Sequence, residues 1–356
     1  MYEMKTNERV KRILEHKEAD RCPIMDDPWR STLTRWAKEG MPENISYQDY
    51  FNIDKVFGYN PDNSPRFPVR TIEETEEYII NTTGFGVTKK NWKKRGGVPE
   101  YLDFTVIDPD IWKKAKETMR PSKDRIDWKR FKDNYKNWKE EGRWLKFVLY
   151  FGYDVTHSHM VGTERLLIAM LEQPEWCIDM FNHELDVSIG LYELMEQAGY
   201  VFDEFMWYDD MGYKGKQFFS LDMYRRLLKP VHQRAIDYAH KKGVKAYLHS
   251  CGNVNSFIPE LVEMGLDVLN PLEVKAGMDP VALKNKFGSK LAFHGGLNAV
   301  LMEKAGEPLW TAMKQTIPAM KKNGGYIIGS DHSIPDNVSL KDMKELIRLA
   351  KELGKY

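Results

Sequence analysis

The sequence has few cysteines, no excess of either charge and no long apolar run. Its three cysteines are too few and too scattered for a disulfide framework, which favours a reducing cytoplasm. The 53 basic and 53 acidic side chains cancel, so the chain has no electrostatic footprint for nucleic acid or an anionic membrane. A membrane helix needs about 18 consecutive apolar residues, and no such run occurs. The first residues also lack the apolar core of a signal peptide. We therefore expect a cytoplasmic protein that binds neither nucleic acid nor membrane.

Short apolar runs alternate with amphipathic stretches from about residue 144 onward. The predicted strands are 144–150, 203–208, 244–248, 266–269, 291–293 and 326–329. The predicted helices are 174–198, 221–242, 256–264, 279–288, 308–323 and one that begins at Ser339. A seventh strand is predicted at residues 22–25, and an eighth is expected between residues 53 and 86.

This alternation implies parallel strands joined by right-handed crossovers. Eight such strands close into an α/β TIM barrel, (β/α)8. An open doubly wound sheet is the alternative, but no Gly-x-Gly-x-x-Gly follows a strand and no Gly-x-x-x-x-Gly-Lys is present. We therefore predict a single barrel domain over residues 1–356, with an N-terminal helical segment at 6–16. The part before about residue 143 is irregular and partly helical, with helical pieces predicted near 71–78 and 128–140.

Polar side chains follow the predicted strands at the end where such a barrel carries its function. They are, in chain order, Asp26, Asp27, Arg30, Asp154, His157, His159, Asp209, Asp210, His249, Cys251, Asn270, Glu273, His294, Asp331 and His332. Each one alone also has a structural explanation, as a cap, a turn residue or a hydrogen-bonded group. Their convergence at one end of the barrel predicts an active site there. The histidines on predicted helices are expected at the surface: His16, His183, His232 and His240.

His249 and Cys251 are two residues apart at the end of a predicted strand. In an extended chain, side chains at that spacing point the same way, so an imidazole and a thiolate could bind one ion. Both groups are zinc ligands. A buried cysteine beside a hydrogen-bonded histidine is the structural alternative.

Six segments match a known family: Glu8-Arg-Val, Asp20-Arg-Cys-Pro-Ile, Asp209-Asp-Met-Gly-Tyr-Lys-Gly-Lys, Leu248-His-Ser-Cys-Gly-Asn, Leu269-Asn-Pro-Leu-Glu and Gly329-Ser-Asp-His-Ser-Ile-Pro. Through them the sequence resembles the uroporphyrinogen decarboxylase superfamily, which includes corrinoid-dependent methyltransferases, over nearly its whole length. The resemblance implies a (β/α)8 barrel, in agreement with the strand count.

One segment distinguishes the branches of this superfamily. The decarboxylases carry an Arg-Gln-Ala-Gly-Arg stretch after the opening proline, which binds the carboxylates of the tetrapyrrole. Here Pro23 is followed by Ile-Met-Asp-Asp-Pro-Trp-Arg, which keeps one arginine, Arg30, and adds two acids. A polycarboxylate would meet repulsion in place of guanidinium groups. The sequence therefore disfavours tetrapyrrole decarboxylation.

The methyltransferase branch holds zinc with His-x-Cys and a distant cysteine before Gly-Ile-Pro. The resemblance thus implies that His249 and Cys251 bind zinc, with His332 of His-Ser-Ile-Pro in the third position. Imidazole binds zinc, but the change from thiolate departs from the branch. One thiolate and two imidazoles leave the site a formal charge of about +1, which suits polarisation of a methoxy oxygen. A fourth, acidic ligand would cancel that charge.

The resulting hypothesis is a zinc-dependent methyltransferase that moves a methyl group between a small substrate and a separate corrinoid protein, with O-demethylation of a methoxylated compound as a refinement. Asp209 and Asp210 complete the metal shell or handle protons, and Glu273 and His294 orient the substrate or the metal ligands. The residues expected to contact substrate are Asp26, Trp29, His157 and Asp331.

Two other classes remain open. A metal-free lyase or decarboxylase would use Asp26 with the Asp209 and Asp210 pair on a substrate that is a carboxylate but not a tetrapyrrole. A non-catalytic binding relative would keep the polar strand ends as remnants.

Overall fold

The computed structural model describes residues 3–93 and 97–356 of the chain. Its strands, in chain order, are β1 (Val56–Tyr59), β2 (Thr71–Glu74), β3 (Tyr78–Thr82), β4 (Val87–Trp92), β5 (Glu100–Phe104), β6 (Trp144–Val148), β7 (Glu204–Tyr208), β8 (Gly212–Tyr213), β9 (Lys216–Gln217), β10 (Lys245–His249), β11 (Val268–Asn270), β12 (Ala292–His294) and β13 (Tyr326–Ile327).

The helices surround and connect these strands. They are α1 (Thr6–Leu14), α2 (Arg30–Lys38), α3 (Tyr47–Phe51), α4 (Pro109–Thr118), α5 (Trp128–Glu140), α6 (Tyr153–Val155), α7 (Thr163–Glu172), α8 (Pro174–Gln197), α9 (Leu221–Leu227), α10 (Lys229–Lys241), α11 (Ile258–Glu263), α12 (Pro280–Phe287), α13 (Ala299–Lys304), α14 (Glu307–Met320) and α15 (Leu340–Leu353). Among the described residues, no helix combines the length and apolar composition that a membrane crossing requires.

Seven strands form one parallel sheet, in the order β1-β6-β7-β10-β11-β12-β13. Its register sets Tyr208 opposite His249, and His249 opposite Asn270. Because the strands are parallel and neighbouring strands follow one another along the chain, each connection crosses from the end of one strand to the start of the next, and helices lie in these connections. The predicted α/β alternation is confirmed, and β1 is the strand expected between 53 and 86.

Residues 22–25, predicted as a strand, lie between the two outer strands of this sheet. Ile24 forms a parallel bridge with Ile328, and Met25 N–H donates to the Ile328 oxygen over 2.9 Å. On the other side, Asp54 N–H donates to the Ile24 oxygen over 3.3 Å. The segment therefore has a few backbone bonds to Ile328, directly after β13, and to Asp54, two residues before β1, without the pairing of a full strand.

Alternate residues of the parallel sheet face a common interior, as strand geometry requires. Val10, Ile13 and Leu14 of α1 pack against this inner face, where they meet Trp144 and Tyr247 among others. The three α1 residues follow the i, i+3, i+4 spacing of one helix face, which is why this helix was predictable. The outward residues of the strands form the larger core with the surrounding helices.

Strands β2–β5 form a separate antiparallel sheet. The helix predicted near 71–78 is therefore wrong, because this segment holds β2, a turn and the first residue of β3. Thr75 N–H donates to the Tyr78 oxygen over 2.9 Å and closes the turn. No residue of β2 is buried, so the strand lacks the apolar alternation by which strands are recognised. The predicted helix at 128–140 is confirmed as α5.

Helix boundaries in the second half agree with their sequence signals. Asp279 Oδ1 accepts from Ala282 N–H over 3.0 Å, and Ser339 Oγ accepts from Asp342 N–H over 3.0 Å. Both are side-chain caps of the first helical turn. The helix predicted at 221–242 is divided into α9 and α10 just before Pro230.

Candidate functional site

Two loops carry the candidate site, and two glycines bring them together. The loop after β7 runs through Asp210 to Gly212, and the loop after β10 runs through Cys251 to Gly252. A Cβ atom on Gly212 would lie 2.7 Å from Asn253 N, and one on Gly252 would overlap the Gly212 backbone. Gly252 also has a φ of +78°, which glycine adopts at little cost. This close backbone approach sets Asp210 beside Cys251.

Three side chains with metal-binding atoms converge at this point. Among the described residues, the group whose ligand atoms all lie within 4.8 Å of one another consists of Asp210, His249 and Cys251. His249 Nε2 lies 3.3 Å from Cys251 Sγ and 3.9 Å from Asp210 Oδ1. Asp210 Oδ1 also accepts a hydrogen bond from Cys251 N–H over 2.7 Å. Carboxylate, imidazole and thiolate are all zinc ligands.

The hydrogen bonds of His249 determine which of its nitrogens is free. Asn270 Nδ2 donates to the His294 oxygen over 3.0 Å, so Asn270 Oδ1 faces His249. His249 Nδ1–H therefore donates to Asn270 Oδ1 over 2.5 Å. The Nε2 lone pair is left directed toward Cys251 and Asp210. A histidine whose other nitrogen donates to an oxygen is the usual arrangement of a metal ligand.

The charges of the three donors fit a bound divalent cation. Burial raises the pKa of Asp210 to about 6, although His249 opposes the shift. Burial also holds the pKa of the Cys251 thiol well above its usual range, and the negative Asp210 and Glu273 add to this effect. A carboxylate and a thiolate this close repel each other when both are ionised. A divalent cation between them would favour both ionised forms, so the residues present fit the zinc that the sequence predicts.

The donors lie in a cavity of about 480 Å³ at the end of the parallel sheet. Its walls carry aromatic rings, three carboxylates and one ammonium, contributed by Trp29, Tyr47, Tyr208, Tyr247, Asp26, Asp27, Asp210 and Lys146. Lys146 Nζ lies 3.0 Å from Glu204 Oε1 and 3.9 Å from the centre of the Tyr247 ring. The ammonium is therefore already neutralised, and the free charge of the cavity is negative.

His332, predicted as the third metal ligand, lies in the same cavity but outside the converging group. Its ring centre lies 5.9 Å from that of Trp29, which was predicted to contact the substrate. Burial lowers the pKa of His332 and so favours its neutral form. The structure thus brings together two of the three predicted ligands, adds Asp210, and sets His332 on the cavity wall.

Two more predicted residues, His294 and Asp26, line the cavity and are held firmly. His294 Nε2 donates to the Met25 oxygen over 3.0 Å, and its Nδ1 accepts from the Tyr247 hydroxyl over 2.6 Å. Burial lowers the pKa of His294 to about 3, so the ring is neutral. Asp26 accepts from the Ser330 hydroxyl over 2.5 Å, and burial raises its pKa to about 7. Asp26 is thus a carboxyl group that can exchange a proton near neutral pH.

Glu273 and Asp331 were predicted in the site, but they lie outside the cavity and hold its loops. Glu273 Oε2 accepts from Gly252 N–H over 2.6 Å. Asp331 is fully buried and accepts from Val274 N–H over 2.9 Å and Ala299 N–H over 2.7 Å. The other oxygen of Glu273, Oε1, lies 3.2 Å from Lys275 Nζ, and both oxygens of Asp331 are used on backbone donors. Each carboxylate therefore supports a loop and does not face the substrate space.

His157 and Asp209 also lie outside the cavity. The His157 ring stacks on Tyr153 with ring centres 4.6 Å apart. Asp209 is fully buried on the opposite side of the strand end from Asp210. Successive residues of an extended chain point to opposite faces, so the two aspartates cannot both enter the cavity. They do not act there as a pair.

His232 is the main residue that sequence reasoning misplaced. It was expected at the surface, yet it is fully buried, with Nε2 2.7 Å from Asp209 Oδ2. Residues 232, 235, 236 and 239 follow helical spacing, and Ala235, Ile236 and Ala239 are buried. That stripe was a signal for burial of His232. His240, near the end of the same helix, is exposed as expected.

The family of the chain follows from comparison with known proteins. The sequence model of the uroporphyrinogen decarboxylase (URO-D) family matches residues 155–353. This is more than half of the chain, which therefore belongs to the URO-D family. A search of curated proteins finds no match.

Comparison with solved structures gives two matches, of which one shares the fold. A methyltransferase from Methanosarcina mazei has a TM-score of 0.65 at 15% sequence identity, over 98% of this chain and 99% of that chain. A 7,8-dihydropteroate synthase from Vibrio fischeri ES114 has a TM-score of 0.21 at 13% identity, over 59% of this chain and 91% of that chain. The first likeness extends over the whole fold, while the second is too weak to carry an argument.

Proposed function

We propose that this chain is a zinc-dependent methyltransferase that moves a methyl group between a small substrate and a separate corrinoid protein. The observation that carries the proposal is the orientation of His249 by Asn270, which directs Nε2 to Cys251 and Asp210. Membership of the URO-D family and a fold shared with a methyltransferase support the class.

The residues of the cavity have distinct roles in this proposal. Asp210, His249 and Cys251 would hold the zinc, with His332 as the candidate for a further ligand. Zinc, when bound, would supply a Lewis acid at the substrate heteroatom. Asp26, with its pKa near neutrality, would give or take the proton at that atom. Trp29 would cover the mouth and exclude water.

The ligand set bears on the choice of substrate. With Asp210 and Cys251 both ionised, a zinc site is formally neutral. The positive charge that favoured a methoxylated substrate is then cancelled by Asp210. O-demethylation therefore rests on the shape and aromatic walls of the cavity, and a methoxylated compound is the first substrate to test.

The contacts of residues 22–25 support a closed barrel, and the position of Asp209 bears on one of the rival functions. We infer that the sheet closes into a (β/α)8 barrel through residues 22–25, because this segment has backbone contacts with residues next to both outer strands. A metal-free lyase would need Asp26 together with Asp209 and Asp210. Asp209 lies behind the cavity, so only Asp26 and Asp210 of these three carboxylates face the substrate space.

The proposal is tested by mixing the protein with a separately purified, reduced corrinoid protein and methoxylated compounds. The absorbance of the corrinoid reports consumption of its reduced cobalt. We expect transfer by the wild type and a loss of about 100-fold or more in Cys251→Ser, as for other losses of metal-site groups. His240→Gln, on an exposed helix face, is the matched control. Equal rates in wild type and Cys251→Ser would overturn the zinc mechanism.

A further inference from the structure

A buried polar cluster lies directly behind the candidate metal site, and no role above uses it. Asp209 occupies its centre, and its own N–H donates to the His249 oxygen over 2.8 Å. Its carboxylate accepts from Asp154 N–H over 2.7 Å on one oxygen and from His232 Nε2–H over 2.7 Å on the other. The residue is fully buried, so these donors replace water.

His232 links this carboxylate to the helices behind the sheet. It lies on α10 and is fully buried. Its Nδ1 is 3.1 Å from the hydroxyl of Tyr224 on α9. With Nε2–H donating to Asp209, Nδ1 accepts from that hydroxyl. The chain Tyr224–His232–Asp209 thus runs from two helices to the end of β7.

The packing around Asp209 leaves little freedom. Gly152 has a φ of +101°, and a Cβ atom there would lie 2.7 Å from Asp209 Oδ2. The Gly152 N–H in turn donates to Glu184 of α8 over 3.1 Å. The Asp209 side chain is therefore enclosed on the side away from the cavity and hydrogen-bonded at both oxygens. Because Asp210 follows it in extended chain, fixing Asp209 also fixes the direction of Asp210 into the cavity.

We propose that His232 and Asp209 form a positioning pair that holds the end of β7 so that Asp210 meets His249 and Cys251 at a metal-binding distance. This inference rests on the proposed metal site and assigns that site two further residues. Neither residue touches the substrate space. Each acts through Asp210 and the backbone bond to His249.

The test is a titration of the metal-free protein with Co²⁺, whose visible spectrum reports ligand geometry. His232→Leu removes the donor to Asp209, and His232→Gln keeps an N–H donor. We expect His232→Leu to weaken Co²⁺ binding by about 10-fold or more and to shift the visible bands, with His232→Gln between it and wild type. His240→Leu, which removes the pair between His240 of the same helix and Asp267 before β11, should change neither the affinity nor the spectrum.

Three results separate the possible failures. A wild type that binds neither Zn²⁺ nor Co²⁺ overturns the proposed function itself. A wild type that binds Co²⁺, beside a folded His232→Leu with the same affinity and spectrum, overturns the positioning pair alone. If His232→Leu does not fold, the same Co²⁺ titration of His232→Gln and Tyr224→Phe tests the positioning pair. Wild-type affinity and spectrum in both would overturn the inference, and weaker binding with shifted bands would support it.

Discussion

At the residue scale, the site depends on which atom each side chain directs into the cavity. His249 presents Nε2 because Nδ1 donates to Asn270 Oδ1, and that amide is itself oriented by the His294 oxygen. A free histidine would sample both nitrogens and several ring angles. The amide therefore contributes to metal affinity although it does not bind the metal.

Replacing Asn270 by Ala should lower zinc affinity by about 10- to 100-fold, because His249 loses the acceptor that fixes its ring. Competition with a chromophoric chelator measures the change. Asn255→Ala is a matched control, since Asn255 is an exposed amide in the nearby loop. Unchanged affinity in a folded Asn270→Ala variant would show that the ring is held by other contacts.

The raised pKa of Asp26 should make the stability of the fold depend on pH. Burial raises its pKa to about 7, while an aspartate in an unfolded chain titrates near about 3.9. Between these values the folded protein binds a proton that the unfolded chain does not. Its contribution to stability is therefore largest below about pH 4 and is lost as the pH rises through about 7.

Asp26→Asn removes this titration and should become more stable relative to wild type as the pH rises from about 5 to about 8. Denaturant unfolding of both proteins at the two pH values measures the difference in unfolding free energy. A difference that does not change with pH would mean that Asp26 titrates as in the unfolded chain.

Some of these residues were predictable and some were not. His249 and Cys251 were found because their spacing of two places both on one face of a strand, whichever face that is. The choice between Asp209 and Asp210 needed the phase of β7. The sequence around them, Phe205-Met-Trp-Tyr208, is large and apolar or aromatic on both faces and does not reveal that phase. Asn270 was recognised as a polar residue at a strand end, but its role as the acceptor for His249 was not predictable, because that role depends on a contact between two strands.

At the scale of elements, the site exists because two loops approach each other backbone to backbone. Gly212 and Gly252 permit that approach, since a side chain on either would meet the other loop. The alternation of helices and parallel strands was predictable because buried strands are short apolar runs. The antiparallel sheet β2–β5 was not, because its strands are half or fully exposed and carry charged residues such as Lys89 and Lys90.

Gly252→Ala should both destabilise the fold and weaken metal binding, because the new Cβ pushes the Cys251 loop away from Asp210. Gly243→Ala is its control: the φ of +71° is similar, but no atom lies within 4 Å of the new Cβ. The unfolding free energy of the control should fall only by about 1–2 kcal/mol, the amount that a left-handed backbone conformation costs a residue with a Cβ atom. Thermal melts and metal titration of both variants test this. Equal effects would contradict the role of the loop contact.

At the scale of the whole molecule, the charge of the cavity determines which substrates it can accept. Asp27 lines its mouth, and Asp26, which also lines it, becomes negative above about pH 7. Its lysine is paired with Glu204, and a bound zinc would balance the charge of Asp210. Like charges disfavour an anionic ligand in a partly buried site. The protein should therefore prefer a neutral or cationic small substrate to a carboxylate of the same shape. This agrees with the segment after Pro23, which keeps one arginine, Arg30, and adds two acids.

A methoxybenzamide should accordingly bind more tightly than the matching methoxybenzoate, and Asp27→Asn should narrow the gap because Asp27 stands exposed at the mouth. Calorimetric titration of both ligands into both proteins gives the four affinities needed. Tighter binding of the benzoate would reverse the expected sign and direct the search to acidic substrates.

The most direct test of the account is the metal content of the purified protein, measured by elemental analysis on wild type, Cys251→Ser, Asp210→Asn and His332→Ala. The account predicts about one zinc per chain in wild type and its loss in the Cys251 and Asp210 variants. Retention in His332→Ala would leave that residue on the substrate side of the cavity, and loss would make it a further ligand. A folded wild type that binds no zinc even when the metal is supplied would contradict the central claim.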